Sequence, residues 1–369
     1  MTAPGLHWIH TTNGQVGPPI TVHNASWSIE LNKTEEISLT VDKKHLNTIT
    51  PTWWEPLSGG VLLTYTGADG ITRPIVAGPI TDWGKETTTS LEIKAEGLRA
   101  IFEKRTIWQT LEYRGTTLGE IAWALAAHAM DRPGGALPLV HGTVGDTVGE
   151  RERTYEGWNL ANNLIGKRWT ELSGVINGPD IMIRPRWADD AQTRIEWALV
   201  HGTEAYPFIA QDWVPDFDTT ADLGEVPDVS VTSSGKNLVH RIWCTGAGEG
   251  EGTARAHAEI LSNVWRRDQP FVEDVMSDAD QASPDVLRQK AHGELLSRQA
   301  MIDQVTLTFA ANSQKTPLGS FFVGDTANVT LTGWKTIPDG TRPMRIIKMN
   351  GDLSPQVTLD FQQAQWENA

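Results

Sequence analysis

The sequence has little cysteine, a deficit of basic residues and no long apolar run. One of the 369 residues is cysteine, Cys244, so no intrachain disulfide can form. Lys and Arg number 31 against 46 Asp and Glu, a formal net charge of -15, which argues against specific nucleic-acid binding because a groove that follows phosphates must be basic. No run approaches the roughly 18 apolar residues of a membrane-spanning helix, and the opening residues lack the basic and apolar regions of a signal peptide. We expect a protein without a membrane span, made in a reducing cytoplasm.

Motifs for catalysis, cofactors and metals are lacking as well. There is no G-x-S-x-G elbow, and the stretch Gly246–Gly252 has Glu251 where a dinucleotide-binding G-x-G-x-x-G requires glycine. Cys244 lies in an apolar stretch beside Trp243, which predicts a buried, inert thiol. The ten histidines form no helical pair with metal-ligand spacing. The sequence therefore predicts no catalytic residue, no cofactor and no metal site, and favours a protein that acts through shape and contact.

The first hundred residues have the alternation of β-strands. Apolar residues occupy every second position over 27–31 and again over 37–41, and a polar turn between them predicts an antiparallel hairpin. Further strands are predicted at 61–66, 71–80 and 90–96. Short strands at this spacing are typical of a small barrel or sandwich.

Residues 101–205 have a mixed pattern. Thr117-x-x-Glu120 is a capping box that begins a helix with apolar residues at helical spacing to about 129. A second helix is predicted at 156–170, with Trp158 and Trp169 on its apolar side. This region is interpreted as a separate α+β domain.

The last part of the chain returns to strands around a helical segment. A strand at 238–244 precedes a predicted helix at 253–265, and Ser283-Pro284 begins another helix that runs to about 299. The final strands are predicted at 304–310, 326–332, 343–349 and 355–361.

One stretch of sequence occurs twice in the same order. Residues 63–67 (LTYTG), followed by Asp-Gly and Thr72-Arg73-Pro74, match residues 329–333 (VTLTG), followed by Asp-Gly and Thr341-Arg342-Pro343. A last alternating strand follows in each copy, SLEIKAE in one and QVTLDFQ in the other. We interpret the match as a duplicated barrel. The alternative is chance recurrence, since Asp-Gly turns and Thr-rich strands are common.

Tryptophan is abundant, at 16 residues. Trp53 and Trp54 lie between two prolines, and Trp334 lies in a turn before the second Thr-Arg-Pro. Exposed aromatic side chains anchor protein interfaces or stack on sugars, so these three are the candidate interface residues. Core positions are an equal alternative for Trp53 and Trp54. Most other tryptophans, among them Trp158 and Trp169, are expected in the core.

The predicted fold class is α+β and mainly β, with two similar small antiparallel β-barrels, an intervening α+β domain and a helical insertion in the second barrel. This order resembles the four-domain tail hub or baseplate hub proteins of tailed bacteriophages, also called minor tail proteins. The stretch from Gly324-Asp325 to Leu331, followed by 342–347 (RPMRII), looks like the closing barrel of such hubs. The helix after Ser283-Pro284 looks like the one that precedes this barrel. The resemblance assigns hub domain I to 1–100, domain II to 101–205, domain III to 206–250 with 304–369, and domain IV to 251–303.

The resemblance implies a structural role in the virion. Hubs of this family are trimers, and three chains with two barrels each match a sixfold tail tube or distal tail protein to a threefold tip. It implies a location at the phage tail tip, where the ring closes or lines the DNA channel that serves DNA ejection. The implied partners are the distal tail or tail tube protein, the tape measure protein, and a tail fibre or receptor-binding protein. No enzymatic activity is implied.

Three alternatives stay open at this point. The chain could be a receptor- or carbohydrate-binding minor tail protein that uses exposed tryptophans. It could be a cell-wall hydrolase, although 46 acidic residues offer no means of choosing a carboxylate pair. It could also be the hub-like component of a contractile injection system.

Overall fold

The chain forms two compact units in the computed structural model. One unit comprises Met1–Ser230 with Thr306–Ala369, and the other comprises Val231–Val305. The structure describes residues 4–175, 177–220, 226, 228–279, 281–298 and 302–363. None of the helices within these ranges is long and apolar enough to cross a membrane.

The N-terminal part of the larger unit is built almost entirely from antiparallel strands. They are β1 (Gly5–His10), β2 (Val16–Pro19), β3 (Val22–Glu30), β4 (Glu36–Asp42), β5 (Gly59–Thr66), β6 (Thr72–Glu86) and β7 (Ser90–Glu96). Helix α1 (Lys43–Leu46) and a 3-10 turn (Pro51–Trp53) lie between β4 and β5. Alternating side chains of β4 and β7 are buried, as the sequence pattern predicts for strands with one face in the core. The predicted strands of this region are confirmed.

The following part mixes helices with two small sheets. Its elements are α2 (Arg99–Phe102), β8 (Leu111–Thr116), α3 (Leu118–Met130), β9 (Leu139–His141), β10 (Arg151–Tyr155), α4 (Ile165–Ser173), β11 (Ile181–Trp187) and β12 (Ile195–His201). Strands β8 and β10 pair with each other, and β12 lies between β11 and β9. The hydroxyl of Thr117 accepts from the Glu120 N–H at 3.1 Å, so the predicted N-terminal cap of α3 is confirmed.

The prediction of a helix over 156–170 is wrong in its first half. Helix α4 begins only at Ile165, and Trp158, expected in the core, is 77% exposed. The Asn163 side chain donates to the Glu156 carbonyl at 2.7 Å, and that of Asn162 donates to the Asn159 side chain. Asparagine side chains that bond locally compete with helical hydrogen bonds, so this segment forms turns instead. Trp169, in α4, is fully buried as expected.

The C-terminal part of the chain adds strands to the large sheet and contains the smaller unit. Its elements are β13 (Asp216–Asp218), β14 (Asp228–Ser234), β15 (Arg241–Thr245), a 3-10 turn (Gly250–Gly252), β16 (Arg255–Glu259), α5 (Ser262–Arg267), β17 (Glu273–Ser277), α6 (Pro284–Arg298), β18 (Ile302–Ala310), β19 (Thr326–Leu331), β20 (Gly340–Asp352) and β21 (Gln356–Gln363). The predicted helix after Ser283-Pro284 and the four final strands are confirmed.

The smaller unit is not purely helical, contrary to the predicted insertion. Strand β15 lies between β16 and β17 in a three-stranded sheet, and Leu287, Ala291 and Leu295 of α6 are fully buried in the core of this unit. The helix predicted at 253–265 is wrong over its first part, where Ala256 and Ala258 are buried while their neighbours are exposed, which is the two-residue period of a strand. Its last four residues, 262–265, do lie in helix α5. Of the predicted insertion 251–303, Asp280 and residues 299–301 lie outside the described part of the chain.

Two sets of five strands in the large sheet follow the same order. In the described part of the chain the sheet has thirteen strands, and its path contains β14-β18-β21-β20 followed by β3-β4-β7-β6-β5. Strand β19 pairs with β20 beside this path, so the second set has the order β14-β18-β21-β20-β19, which corresponds to β3-β4-β7-β6-β5. Strand β20 also pairs with β3, which joins the two sets. In the first set a short turn joins the leading two strands, whereas in the second set residues 235–301 stand between them. The mainly β, α+β fold class is confirmed.

Strand pairing aligns the two copies of the repeated stretch differently from the sequence match, and the two alignments differ by two residues. Thr66 pairs with Thr72 in the first copy and Thr330 pairs with Thr341 in the second, and their hydroxyl oxygens are 2.9 and 2.7 Å apart. The sequence match aligned Thr64, not Thr66, with Thr330. The segment that links the paired strands is longer in the second copy. Gly333 therefore lies further along the chain from Thr330 than Gly67 does from Thr66, whereas the sequence match aligned these two glycines with each other.

Candidate functional site

Trp53 and Trp54, two of the candidate interface residues, lie in the turn that precedes β5. The Trp53 ring stacks on the His10 ring with centroids 3.8 Å apart. It also lies so close over Gly17 that a β-carbon there would collide with it at 2.6 Å. Trp53 therefore covers the β1–β2 hairpin and is half-buried by its own chain.

Trp54 belongs to an apolar group that is partly open to solvent. Its ring centroid is 5.4 Å from that of Trp83, and the Trp83 indole N–H donates to the Trp54 carbonyl at 3.0 Å. Trp83 is 43% exposed, and Leu57 on the same turn as Trp54 is 56% exposed. Leu57 has a φ of 68°, a left-handed conformation that is unfavourable for a bulky residue. We call Trp53, Trp54, Leu57 and Trp83 the tryptophan surface.

The third candidate, Trp334, lies in the turn between β19 and β20. The Asp339 carboxylate closes this turn by accepting from the Gly333 N–H at 2.7 Å. Trp334 is half-buried, and no ring contact joins it to Trp53 or Trp54 in the described part of the chain. Trp83 and Leu57 were missed by the sequence reasoning. Trp83 lies beyond the strand predicted at 71–80, in the last part of β6, where residues 81–86 are half-buried or exposed.

The Gly324-Asp325 motif ties the C-terminal strands to β11. Gly324 has a φ of 98°, and the Asp325 carboxylate accepts from Arg184 of β11 at 3.0 Å and from the Phe322 N–H at 2.8 Å. Burial raises the pKa of Asp325, and the Arg184 guanidinium offsets part of that rise. A second buried pair, between Arg345 and Asp180, joins the same two regions.

Cys244 is fully buried, as predicted for an inert thiol. Burial raises the pKa of this thiol, which disfavours the reactive thiolate.

Two histidines and a glutamate come together from three separate elements. Glu120 lies in the first turn of α3, His141 ends β9 and His201 ends β12. Strands β9 and β12 are parallel neighbours, which brings their carboxyl ends to one edge of the sheet. The His141 Nε2 is 3.0 Å from the His201 Nε2 and 3.7 Å from the Glu120 Oε1. We call these three residues the His-Glu cluster.

Burial shifts the pKa of two members of the His-Glu cluster. Burial lowers the pKa of His201, and the carbonyl of Gly202, which accepts from its Nδ1 at 2.8 Å, opposes this effect. Burial also raises the pKa of Glu120, an effect that nearby His141 reduces. The cluster has no metal-ligand spacing along one helix that would reveal it in the sequence, because its residues are 21 and 60 positions apart.

No protein-family model and no curated protein matches the sequence. Solved structures are similar in fold along almost the whole chain. A tail protein from Neisseria meningitidis MC58 has a TM-score of 0.57 at 11% identity, with 97% of each chain covered. The 43 kDa tail protein of prophage MuSo2 from Shewanella oneidensis has a TM-score of 0.56 at 10% identity, with 98% of each chain covered. The prophage tail protein gp18 from Listeria monocytogenes EGD-e has a TM-score of 0.53 at 10% identity, covering 98% of this chain and 95% of that one.

These likenesses span both compact units and all the sheets described above. Because the sequence identity is only about 10%, they show a shared fold and no shared function. The chain therefore has the fold of phage and prophage tail proteins, which confirms for the fold the resemblance drawn from the sequence.

Proposed function

We propose that the chain is a structural hub protein of a bacteriophage or prophage tail, located in the virion at the tail tip or baseplate, and not an enzyme. The observation that carries the proposal is the likeness in fold to three tail proteins over at least 95% of either chain. The repeated strand order supports the finer assignment to a hub, because a hub needs two equivalent modules per chain.

The two sets of five strands are proposed to be the two barrels of hub domains I and III. Three chains would then present six similar modules in a ring, which lets a threefold tip meet a sixfold tube. The cross-strand Thr66–Thr72 and Thr330–Thr341 pairs at equivalent places in the two sets support this equivalence. Region 101–205 would be domain II, and the unit Val231–Val305 would contain domain IV.

The proposed partners follow from this position in the tail. The ring would contact a distal tail or tail tube protein and the tape measure protein on one side, and a fibre or receptor-binding protein on the other. The tryptophan surface and Trp334 are the proposed contact points, because half-buried aromatic rings held by their own chain lose little side-chain entropy on binding. The ring would enclose the DNA channel, and the net charge of -15 suits passage of DNA without adhesion.

The oligomeric state tests the proposal. We expect the purified full chain to have a molar mass of about 122 kDa by size-exclusion chromatography with light scattering, three times the 40.6 kDa of one chain. Trp54→Ala tests whether the tryptophan surface forms the trimer contact, with Trp158→Ala as the control, since Trp158 is 77% exposed and lies elsewhere in the chain. A mass of 40.6 kDa over a wide concentration range, unchanged when a hexameric distal tail protein is added, would contradict the hub assignment.

A second candidate function rests on the same tryptophan surface. Exposed tryptophan rings stack on sugars, so Trp83 and Trp54 could hold a host glycan in a receptor-binding tail protein. Glycan binding by a monomeric chain that is lost in Trp83→Ala would favour this function over the hub.

A further inference from the structure

We propose that Glu120, His141 and His201 bind one divalent transition-metal ion of the zinc class. The proposal goes beyond the function in the tail and does not depend on it. The three side chains each offer a ligand atom, and these atoms all lie within 4.8 Å of one another. Two imidazole nitrogens with one carboxylate oxygen are a donor set that zinc and its neighbours in the transition series prefer.

The distances within the His-Glu cluster fit a small ion. A tetrahedral zinc ion with bonds of about 2.1 Å keeps neighbouring ligand atoms roughly 3.4 Å apart. The two separations at the His141 Nε2, 3.0 Å to His201 and 3.7 Å to Glu120, lie on either side of that value. The third separation, between the Glu120 carboxylate and the His201 ring, is within 4.8 Å, so the Glu120 side chain must move toward His201 when the ion binds. A solvent molecule can supply the fourth ligand.

The hydrogen bonds of His201 direct a lone pair into the cluster. Its Nδ1 is 2.8 Å from the carbonyl oxygen of Gly202, and a carbonyl can only accept. The Nδ1 therefore carries the hydrogen, which leaves a lone pair on the Nε2 of the neutral ring, facing His141. A hydrogen bond of this kind, from the far ring nitrogen to a backbone carbonyl, is typical of histidine ligands to metals.

The chain holds both rings in place before any ion arrives. The ring of His201 lies so close under Gly119 that a β-carbon there would approach its Nδ1 to 2.0 Å, and the Thr143 hydroxyl bonds the backbone N–H and carbonyl of His201. The His141 ring is parallel to the Trp123 ring within 5°, at a centroid distance of 4.9 Å. Rigid ligands lose little freedom when they bind, so this arrangement favours affinity.

A hydrogen bond between the two imidazole rings would not account for the position of Glu120, whereas a bound ion would. Such a bond needs no third group, whereas Glu120 also brings a carboxylate oxygen to the same nitrogen. The Glu120 and His141 side chains are 20% and 21% exposed, which leaves an ion a path from solvent. A bound ion would connect the first turn of α3 to β9 and β12, three elements with distant positions in the sequence.

Metal titration of the full chain tests the proposal. The chain, carrying no polyhistidine tag, is stripped with a chelator and titrated with Zn²⁺ in competition with a chromogenic indicator. We expect one Zn²⁺ per chain, and at least tenfold weaker binding in His141→Gln and in Glu120→Gln. His23→Gln is the matched control, since His23 is exposed, and it should bind Zn²⁺ as the wild type does. Circular dichroism checks that each variant is folded.

Two further readouts separate a site from surface adsorption. Co²⁺ in place of Zn²⁺ should give the visible absorption of a four- or five-coordinate site in the wild type and not in His141→Gln. Added Zn²⁺ should raise the Tm of the wild type and leave that of His141→Gln unchanged. If the two variants bind Zn²⁺ as tightly as His23→Gln, or if no chain binds one equivalent, the cluster is a hydrogen-bonded histidine pair and the proposal is wrong.

Discussion

Burial shifts the pKa of single side chains in this protein, and Glu35 is the clearest case. Its side chain lies against Gly97, and burial raises its pKa from 4.5 to about 7, although its own backbone N–H and Arg99 act in the opposite direction. The unfolded chain therefore loses this proton at lower pH than the folded chain does. The sign follows: the contribution of Glu35 to stability decreases as pH rises from about 4.5 to 7 and is constant above 7.

We expect the free energy of unfolding of Glu35→Gln to increase relative to that of the wild type as the pH rises. A pKa difference of this size corresponds to about 3 kcal/mol in the free energy of unfolding between pH 4.5 and pH 8. Urea unfolding of both proteins at the two pH values measures it. Glu36→Gln, at the exposed neighbouring position, should show no such trend, and a pH-independent difference for Glu35→Gln would contradict the prediction.

At the scale of elements, the sequence predicts those whose signals are local. Helix α3 has a capping box and helix α6 has Ser-Pro at its start with an apolar stripe, and both formed as expected. The alanines at the buried positions of β16 are good helix formers, so local propensity favours a helix there, and the pairing of β16 with β15 decides otherwise. The tryptophan surface could be predicted in part, since the flanking prolines indicated a turn at Trp53 and Trp54.

The His-Glu cluster has no local signal at all. Its three residues meet only because β9 lies parallel to β12 and the first turn of α3 packs over His201 at Gly119. Such a cluster depends on the pairing of strands that are far apart in sequence, which one sequence does not specify.

Contacts between elements suggest a second test, at the pair of Arg184 on β11 and Asp325 before β19. We expect Arg184→Met to lower the free energy of unfolding by about 3 kcal/mol, because it leaves a buried carboxylate without its cation. The double variant Arg184→Met/Asp325→Asn should lower the free energy of unfolding by less than Arg184→Met alone, because it leaves no unpaired charge. Chemical unfolding of the single and double variants measures the coupling.

Arg186 provides the matched control on the same strand. It pairs with Glu196 at the surface, where its side chain is 55% exposed, so Arg186→Met should change stability by less than about 1 kcal/mol. If Arg184→Met and Arg186→Met lower the free energy of unfolding equally, the burial of the Arg184–Asp325 pair does not affect stability and the prediction is wrong.

At the scale of the whole molecule, the repeated strand order leads us to predict that residues 235–301 are an insertion in an otherwise complete module. In the first set, Leu31–Glu35 alone join β3 to β4. In the second set, the segment between β14 and β18 contains most of a unit that buries its own core of α6 against β15 and β16. A core of its own is what permits one region to be removed without unfolding the other.

We expect a chain in which residues 235–301 are replaced by a copy of Leu31–Glu35 to fold with the remaining strands intact. Thermal unfolding followed by circular dichroism should give one cooperative transition. If the ring is formed by the two strand sets, light scattering should still give three times the mass of the shortened chain. A folded monomer would assign the trimer contact to the removed unit, and an unfolded product would show that β14 and β18 are not equivalent to β3 and β4. The repeat would then be a recurrence of hairpin chemistry, and the six-module ring would lose its structural basis.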